Sequence, residues 1–221
     1  MAIADRRVYL REVVNLLLAQ WPSNRTVNIV CHGHSVPAGY FATPMVDTFN
    51  AYPALLHRAL KHRFPYAVVN VIVTAIGGEG SPQGADRFEA EALCHRPDLV
   101  TLDYGLNDRR AGLVAAEAAW RRMIEASLAR QARVLLLTPT WDNTAMVDGA
   151  GEAWRDLARH AEQIRRLAAE YAVGLADSFA AFDAYVAAGG DLTDLLSWSN
   201  HPNRHGHVLV VRELMRWFPI L

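Results

Sequence analysis

Short, almost wholly apolar runs alternate with longer stretches of helical period, and that alternation restricts the chain more than any other feature. VNIVC (27–31), AVVNVIV (67–73), LVTLDY (99–104), RVLLLTP (133–139) and the weaker AVGLAD (172–177) read as strands. A strand that is apolar on both sides is buried on both faces, as in parallel sheets covered by helices. Apolar residues at helical spacing fill roughly 48–63, 84–94, 113–130 and 152–171 between these runs. Val8, Leu10, Val13, Val14 and Leu17 mark a further amphipathic helix within 4–20. The expected fold is α/β: a three-layer α/β/α sandwich with a five-stranded parallel sheet, flavodoxin-like. The length of 221 residues suits one domain, 1–221, with 1–26 as an N-terminal helix packing on it.

Charge and cysteine usage narrow the partners. The 22 basic and 23 acidic residues nearly cancel, and the arginine pairs are scattered, so no nucleic-acid footprint is expected. No apolar run approaches the ~18 residues that span a bilayer, so no membrane partner is expected either. Charges interrupt the apolar N-terminal positions where a signal peptide needs a continuous run. Cys31 and Cys94 make no disulfide framework, and Cys31 reads as a small core residue. A cytoplasmic location follows as the expectation.

In open parallel sheets the ligand sits beyond the carboxyl ends of the strands, so functional residues are expected there. The first strand runs into Cys31-His32-Gly33-His34-Ser35, where a glycine permits a tight turn and exposes a serine. The pattern is not the G-x-S-x-G elbow. The second strand leads to Gly77-Gly78, whose backbone N–H groups can approach a ligand closely. The third leads to Asn107-Asp108, an amide donor for a developing oxyanion and a carboxylate that can hold the loop. Near the end comes His201-Pro202, where proline keeps the histidine out of helix at the edge of a helix starting near Asn203.

With these four blocks in this order, residues 27–210 resemble the SGNH hydrolases, also called the GDSL family of esterases and lipases. The resemblance implies Ser35 as nucleophile, with His34 in place of the family's usual aspartate, and His201 as base. It implies an oxyanion hole from Ser35, Gly78 and Asn107. The family places an aspartate three residues before its histidine, where this chain has Trp198. Orientation of the His201 ring then falls to a backbone carbonyl near Trp198, or to Asp194 or Asp191.

The implied activity is hydrolysis of short-chain carboxylic esters, O-acetyl groups of carbohydrates included, with a small-molecule ester as partner and no cofactor. His34 and Asp108 are expected to support the site, and Tyr40, Trp141 and Trp198 to line the substrate pocket. Two other readings compete. One is an SGNH-fold binder of carbohydrate or ester that has lost catalysis. The other is a metal-dependent hydrolase built on His32, His34, His201, His205 and His207, which lacks an acidic partner motif.

Overall fold

A computed structural model describes residues 2–147 and 151–220. Strands β1 (Thr26–Gly33), β2 (Val68–Val73), β3 (Leu99–Asp103), β4 (Arg133–Leu137) and β5 (Gly174–Ala176) form one sheet in the order β2-β1-β3-β4-β5. Every pairing is parallel. The helices of the described residues are α1 (Arg11–Leu18), α2 (Ser35–Ala38), α3 (Tyr52–Arg63), α4 (Ser81–Glu91), α5 (Gly112–Ala129), α6 (Thr144–Val147), α7 (Glu152–Glu170), α8 (Ser178–Ala187) and α9 (Arg204–Met215).

Successive strand residues point to opposite faces, so the all-apolar runs feed two cores at once. Ile29, Cys31, Leu99, Leu135 and Leu137 join one core with Val13 and Leu17 of α1, Leu56 and Leu60 of α3, and Val210 and Leu214 of α9. Val30, Val100, Leu102, Val134 and Leu136 join the other with Phe88 of α4, Trp120 and Met123 of α5, and Ile164 and Leu167 of α7. Each leucine or isoleucine so buried is worth about 1.5–3 kcal/mol, which makes the three-layer arrangement the stable outcome of this pattern.

The strand order reverses at β1, which lies between β2 and β3. The crevice beyond such a switch point is where open α/β sheets place ligands. Thr74 N–H donates to Cys31 O at 3.0 Å and Ile76 N–H to Gly33 O at 3.0 Å, carrying the pairing past the end of β2. The loops after β1, β2 and β3 are thereby gathered at one edge.

The structure departs from the sequence expectation in two places. The N-terminal helix spans only Arg11–Leu18, because Ala4 N–H donates to Val173 O and the Asp5 carboxylate takes the Arg7 N–H in a separate turn. Helix α8 was not anticipated. No helix among the described residues is long and apolar enough to cross a membrane.

Candidate active site

The end of β1 depends on a glycine. Gly33 faces Asp103 of β3, and a Cβ at Gly33 would lie 2.5 Å from the Asp103 carbonyl oxygen. Only glycine allows that approach. His34 follows as the N-cap of α2, its Nδ1 accepting the Val36 N–H at 3.3 Å. Ser35 is therefore the first residue of a short helix standing on the strand end, with its side chain enclosed.

His201 comes to Ser35 from 166 residues away in sequence, and its Nε2 lies 2.8 Å from Ser35 Oγ. Its Nδ1 lies 2.8 Å from the carbonyl oxygen of Phe41. A carbonyl only accepts, so Nδ1 carries the proton and Nε2 offers its lone pair to the serine hydroxyl. The group that orients the imidazole is thus the Phe41 carbonyl, not one near Trp198 and not Asp191 or Asp194. Asp191 accepts the Thr193 N–H, and Asp194 accepts the Tyr185 hydroxyl. Burial pulls the His201 pKa below the usual imidazole range, and neighbouring His34 adds to that, against the opposing hydrogen bond to Phe41.

The Phe41 carbonyl is itself held. Phe41 N–H donates to Met45 O at 3.0 Å, and Tyr40 and Val46 pair across the same tongue. The Phe41 ring lies 5.2 Å from the His207 ring, whose Nδ1 accepts the Tyr52 N–H at 3.1 Å. His207 is fully buried, and burial drives its pKa down to about 3. It anchors as a neutral ring.

Gly78 occupies positive φ (81°), and a Cβ there would meet nothing within 4 Å. The residue is chosen for its backbone conformation and stands open. The Asn107 amide donates one N–H to Glu79 O at 2.9 Å, tying it next to Gly78 and leaving a second N–H. Glu79 is fixed by Arg87 and by the Tyr104 hydroxyl at 3.1 Å. Asp108 completes the clamp between the two loops, accepting the Ser81 N–H at 2.7 Å and the Trp120 indole N–H at 2.7 Å. Burial raises the Asp108 pKa, and those two hydrogen bonds oppose the rise. Asp108→Asn would turn an NH₂ group toward one of these donors. Such a loss is expected to cost about 1–3 kcal/mol in urea denaturation.

The aromatic residues expected to line the pocket lie in different surroundings. The Tyr40 ring is 6.0 Å from the His201 ring, and a Cβ on Gly77 would sit 2.9 Å from it, so Tyr40 stands between His201 and the glycine loop. Trp141 is buried in a cluster with Trp154 at 4.5 Å and Phe179 at 5.7 Å. Trp198 is 69% exposed and lines a groove of about 460 Å³ with Met146, Val147 and Leu196. The remaining histidines are engaged elsewhere. His32 contacts Thr74 Oγ1 at 2.8 Å and Gly84 O at 3.1 Å, and His205 packs on Tyr185. Among the described residues no group of three or more His, Cys, Asp or Glu is placed to hold a metal ion.

Sequence reasoning missed Phe41, Glu79 and Asp103. Asp103 lies at the end of β3 with its Oδ1 3.4 Å from His34 Nε2. Phe41 contributes a backbone atom, which has no sequence signature.

The fold has close structural relatives. Axe2, an acetylxylan esterase from Geobacillus stearothermophilus, superposes with a TM-score of 0.77 at 18% identity, over 92% of this chain and 97% of that one. A catalytic mutant of Axe2 gives 0.75 at 20% identity, over 88% and 95%. A two-domain esterase active on acetylated mannans (CEX) gives 0.69 at 21% identity, over 98% of this chain and 54% of that one. Comparison with curated proteins found no match by sequence. The sequence profile of the GDSL-like lipase/acylhydrolase family matches residues 31–209, from the last residues of β1 through the helix after His201. The four blocks all fall inside that span, and the chain belongs to the GDSL-like lipase/acylhydrolase family.

Proposed function

We propose that the protein is a serine esterase that removes short acyl groups, acetyl above all, from carbohydrates by Ser35–His201 acyl transfer. The observation that carries this is the 2.8 Å contact from Ser35 Oγ to His201 Nε2, with the Phe41 carbonyl fixing the required tautomer. His201 takes the Ser35 proton as Oγ attacks the ester carbonyl, then gives it to the departing alkoxide. Water, activated by the same nitrogen, releases the acid. The Gly78 N–H, the free N–H of Asn107 and the Ser35 N–H hold the oxyanion, each such donor being worth about 10²–10³ in rate.

Family membership supports ester hydrolysis, and the structural likeness to an acetylxylan esterase and an acetylmannan-active esterase supports an acetylated carbohydrate. Tyr40, wedged between His201 and Gly77, supports a small acyl group by occupying the space beside the nucleophile. The exposed Trp198, rimmed by Asn143, Thr193 and Ser199, offers an apolar face and hydroxyl partners for a sugar ring.

The test is hydrolysis of p-nitrophenyl acetate, butyrate and octanoate, and of acetylated xylo-oligosaccharides, by the wild type and Ser35→Ala. Acetate is expected to react fastest, with about a tenfold or greater decline by octanoate, and Ser35→Ala to abolish every reaction. Hydrolysis that survives Ser35→Ala, or disappears with a chelator, would overturn the serine mechanism.

A further inference from the structure

The Asp103 carboxylate is enclosed at the end of β3, and no arginine or lysine among the described residues pairs with it. Its ion-pair contact is His34 Nε2 at 3.4 Å. It also faces the buried Tyr52 phenol, whose pKa is held well above its ordinary value by burial first and by Asp103 second. A buried carboxylate faced by an imidazole and a phenol, with no arginine or lysine paired to it, is costly and is kept where it does something.

The imidazole has a defined orientation. The Val36 N–H donates to His34 Nδ1, so Nδ1 bears the lone pair and the proton sits on Nε2, toward Asp103. That same Nδ1 lies 3.3 Å from Ser35 Oγ. The hydroxyl therefore stands between two imidazoles. His201 makes the shorter contact but has only a carbonyl dipole behind it. His34 makes the longer contact and has the Asp103 carboxyl group behind it. A carboxylate behind a base stabilises the imidazolium that forms on proton transfer.

We propose that His34 is a second proton acceptor for Ser35, with Asp103 as its positioning carboxylate. This rests on Ser35 being the nucleophile. When His34 acts, Nδ1 gives up the 3.3 Å hydrogen bond from the Val36 N–H, the Oγ–H bond breaks, the Nδ1–H bond forms, and Oγ attacks the ester carbonyl with the freed electron pair. His34 is too enclosed to protonate the leaving group, so an alkoxide takes its proton from water. Hydroxide, formed in that way or drawn from solvent where the leaving group departs as an anion, attacks the acyl carbon, and departing Oγ recovers its proton from Nδ1. A leaving group that needs no proton is served best by this route.

The test compares His201→Ala with His201→Ala/His34→Asn on p-nitrophenyl acetate and on an alkyl acetate. Asparagine keeps an oxygen acceptor for the Val36 N–H, so the helix cap survives while the base is lost. His201→Ala should retain hydrolysis that favours p-nitrophenyl acetate and rises with pH through one ionisation. Adding His34→Asn should lower it about tenfold or more and flatten the pH profile. Adding Asp103→Asn instead should lower the residual kcat on p-nitrophenyl acetate and leave KM unchanged, a split that a merely structural role would not produce. Equal rates and profiles in the single and double variants would overturn the proposal. Activity persisting in Ser35→Ala would bring down the nucleophile itself, whereas an inactive Ser35→Ala beside a His201→Ala/His34→Asn variant no slower than His201→Ala would remove only the second base.

Discussion

His201→Ala is expected to lower kcat on acetate esters by about 10³-fold or more while KM changes little. The ring touches the serine hydroxyl and the Phe41 carbonyl, and neither contact binds the acyl or sugar part of a substrate. In the proposed mechanism what is removed is a proton acceptor that matters only as the transition state forms, so the loss belongs in kcat. The pH dependence of the wild type follows from the same geometry. Burial, reinforced by His34, disfavours the imidazolium of His201. A base must be neutral to act, so kcat/KM should rise with pH through an ionisation below the ordinary imidazole range and be level by neutral pH. Steady-state rates of wild type and variant across pH check both statements. A KM effect alone would show that His201 binds and does not transfer protons.

The second large effect is on stability in mild acid. His32 and His207 are buried and neutral, with pKa values pulled down to about 4 and about 3 by burial. In the unfolded chain both imidazoles titrate near ~6.5. Between these values the unfolded state binds protons that the native state refuses, so stability falls as pH falls. The contribution is fully present above the unfolded pKa and is lost as pH drops toward the folded values. From about pH 7.5 to pH 5 the two groups together are expected to remove about 4 kcal/mol. Urea denaturation at a series of pH values measures this, and a midpoint that does not move over that interval would contradict the buried, neutral assignment. His32 and His207 thus serve as structural rings. His32 holds the β2 loop and helix α4 through Thr74 and Gly84, and His207 seats Phe41.

The sheet was legible because its strands are covered on both faces, so VNIVC, LVTLD and RVLLL carry their burial in their composition. The helices between them were legible from spacing, except where spacing is silent. Helix α8 reads SFAAFDAYVA, apolar around much of its circumference, and shows no stripe. Its start was available in Asp177, whose side chain accepts the Ala180 N–H as N-cap. The stretch 4–10 carries apolar residues at helical spacing, yet Asp5 bonding to Arg7 and Ala4 pairing with Val173 compete successfully with helix there.

The site was legible in part. Three blocks at strand ends and one before the last helix named Ser35, Gly78, Asn107 and His201, and the fold sets Ser35 against His201 and Asn107 beside the Gly78 loop. The absence of an aspartate three residues before His201 was visible, but its replacement was not. A backbone carbonyl leaves no trace in side-chain chemistry, and Phe41 is identified only by where the 40–46 tongue folds. Asp103 was visible as a lone acidic residue inside an apolar strand. Such a residue needs a partner in the core, and that physical signal points toward His34.

The most direct test of Ser35 as the nucleophile is covalent trapping. The protein is treated with a fluorophosphonate ester, and the adduct is located by intact mass and peptide mapping. One adduct on Ser35, absent in Ser35→Ala and slow to form in His201→Ala, is the expected result. An adduct on another residue, or none from a protein that still hydrolyses acetate esters, would contradict it.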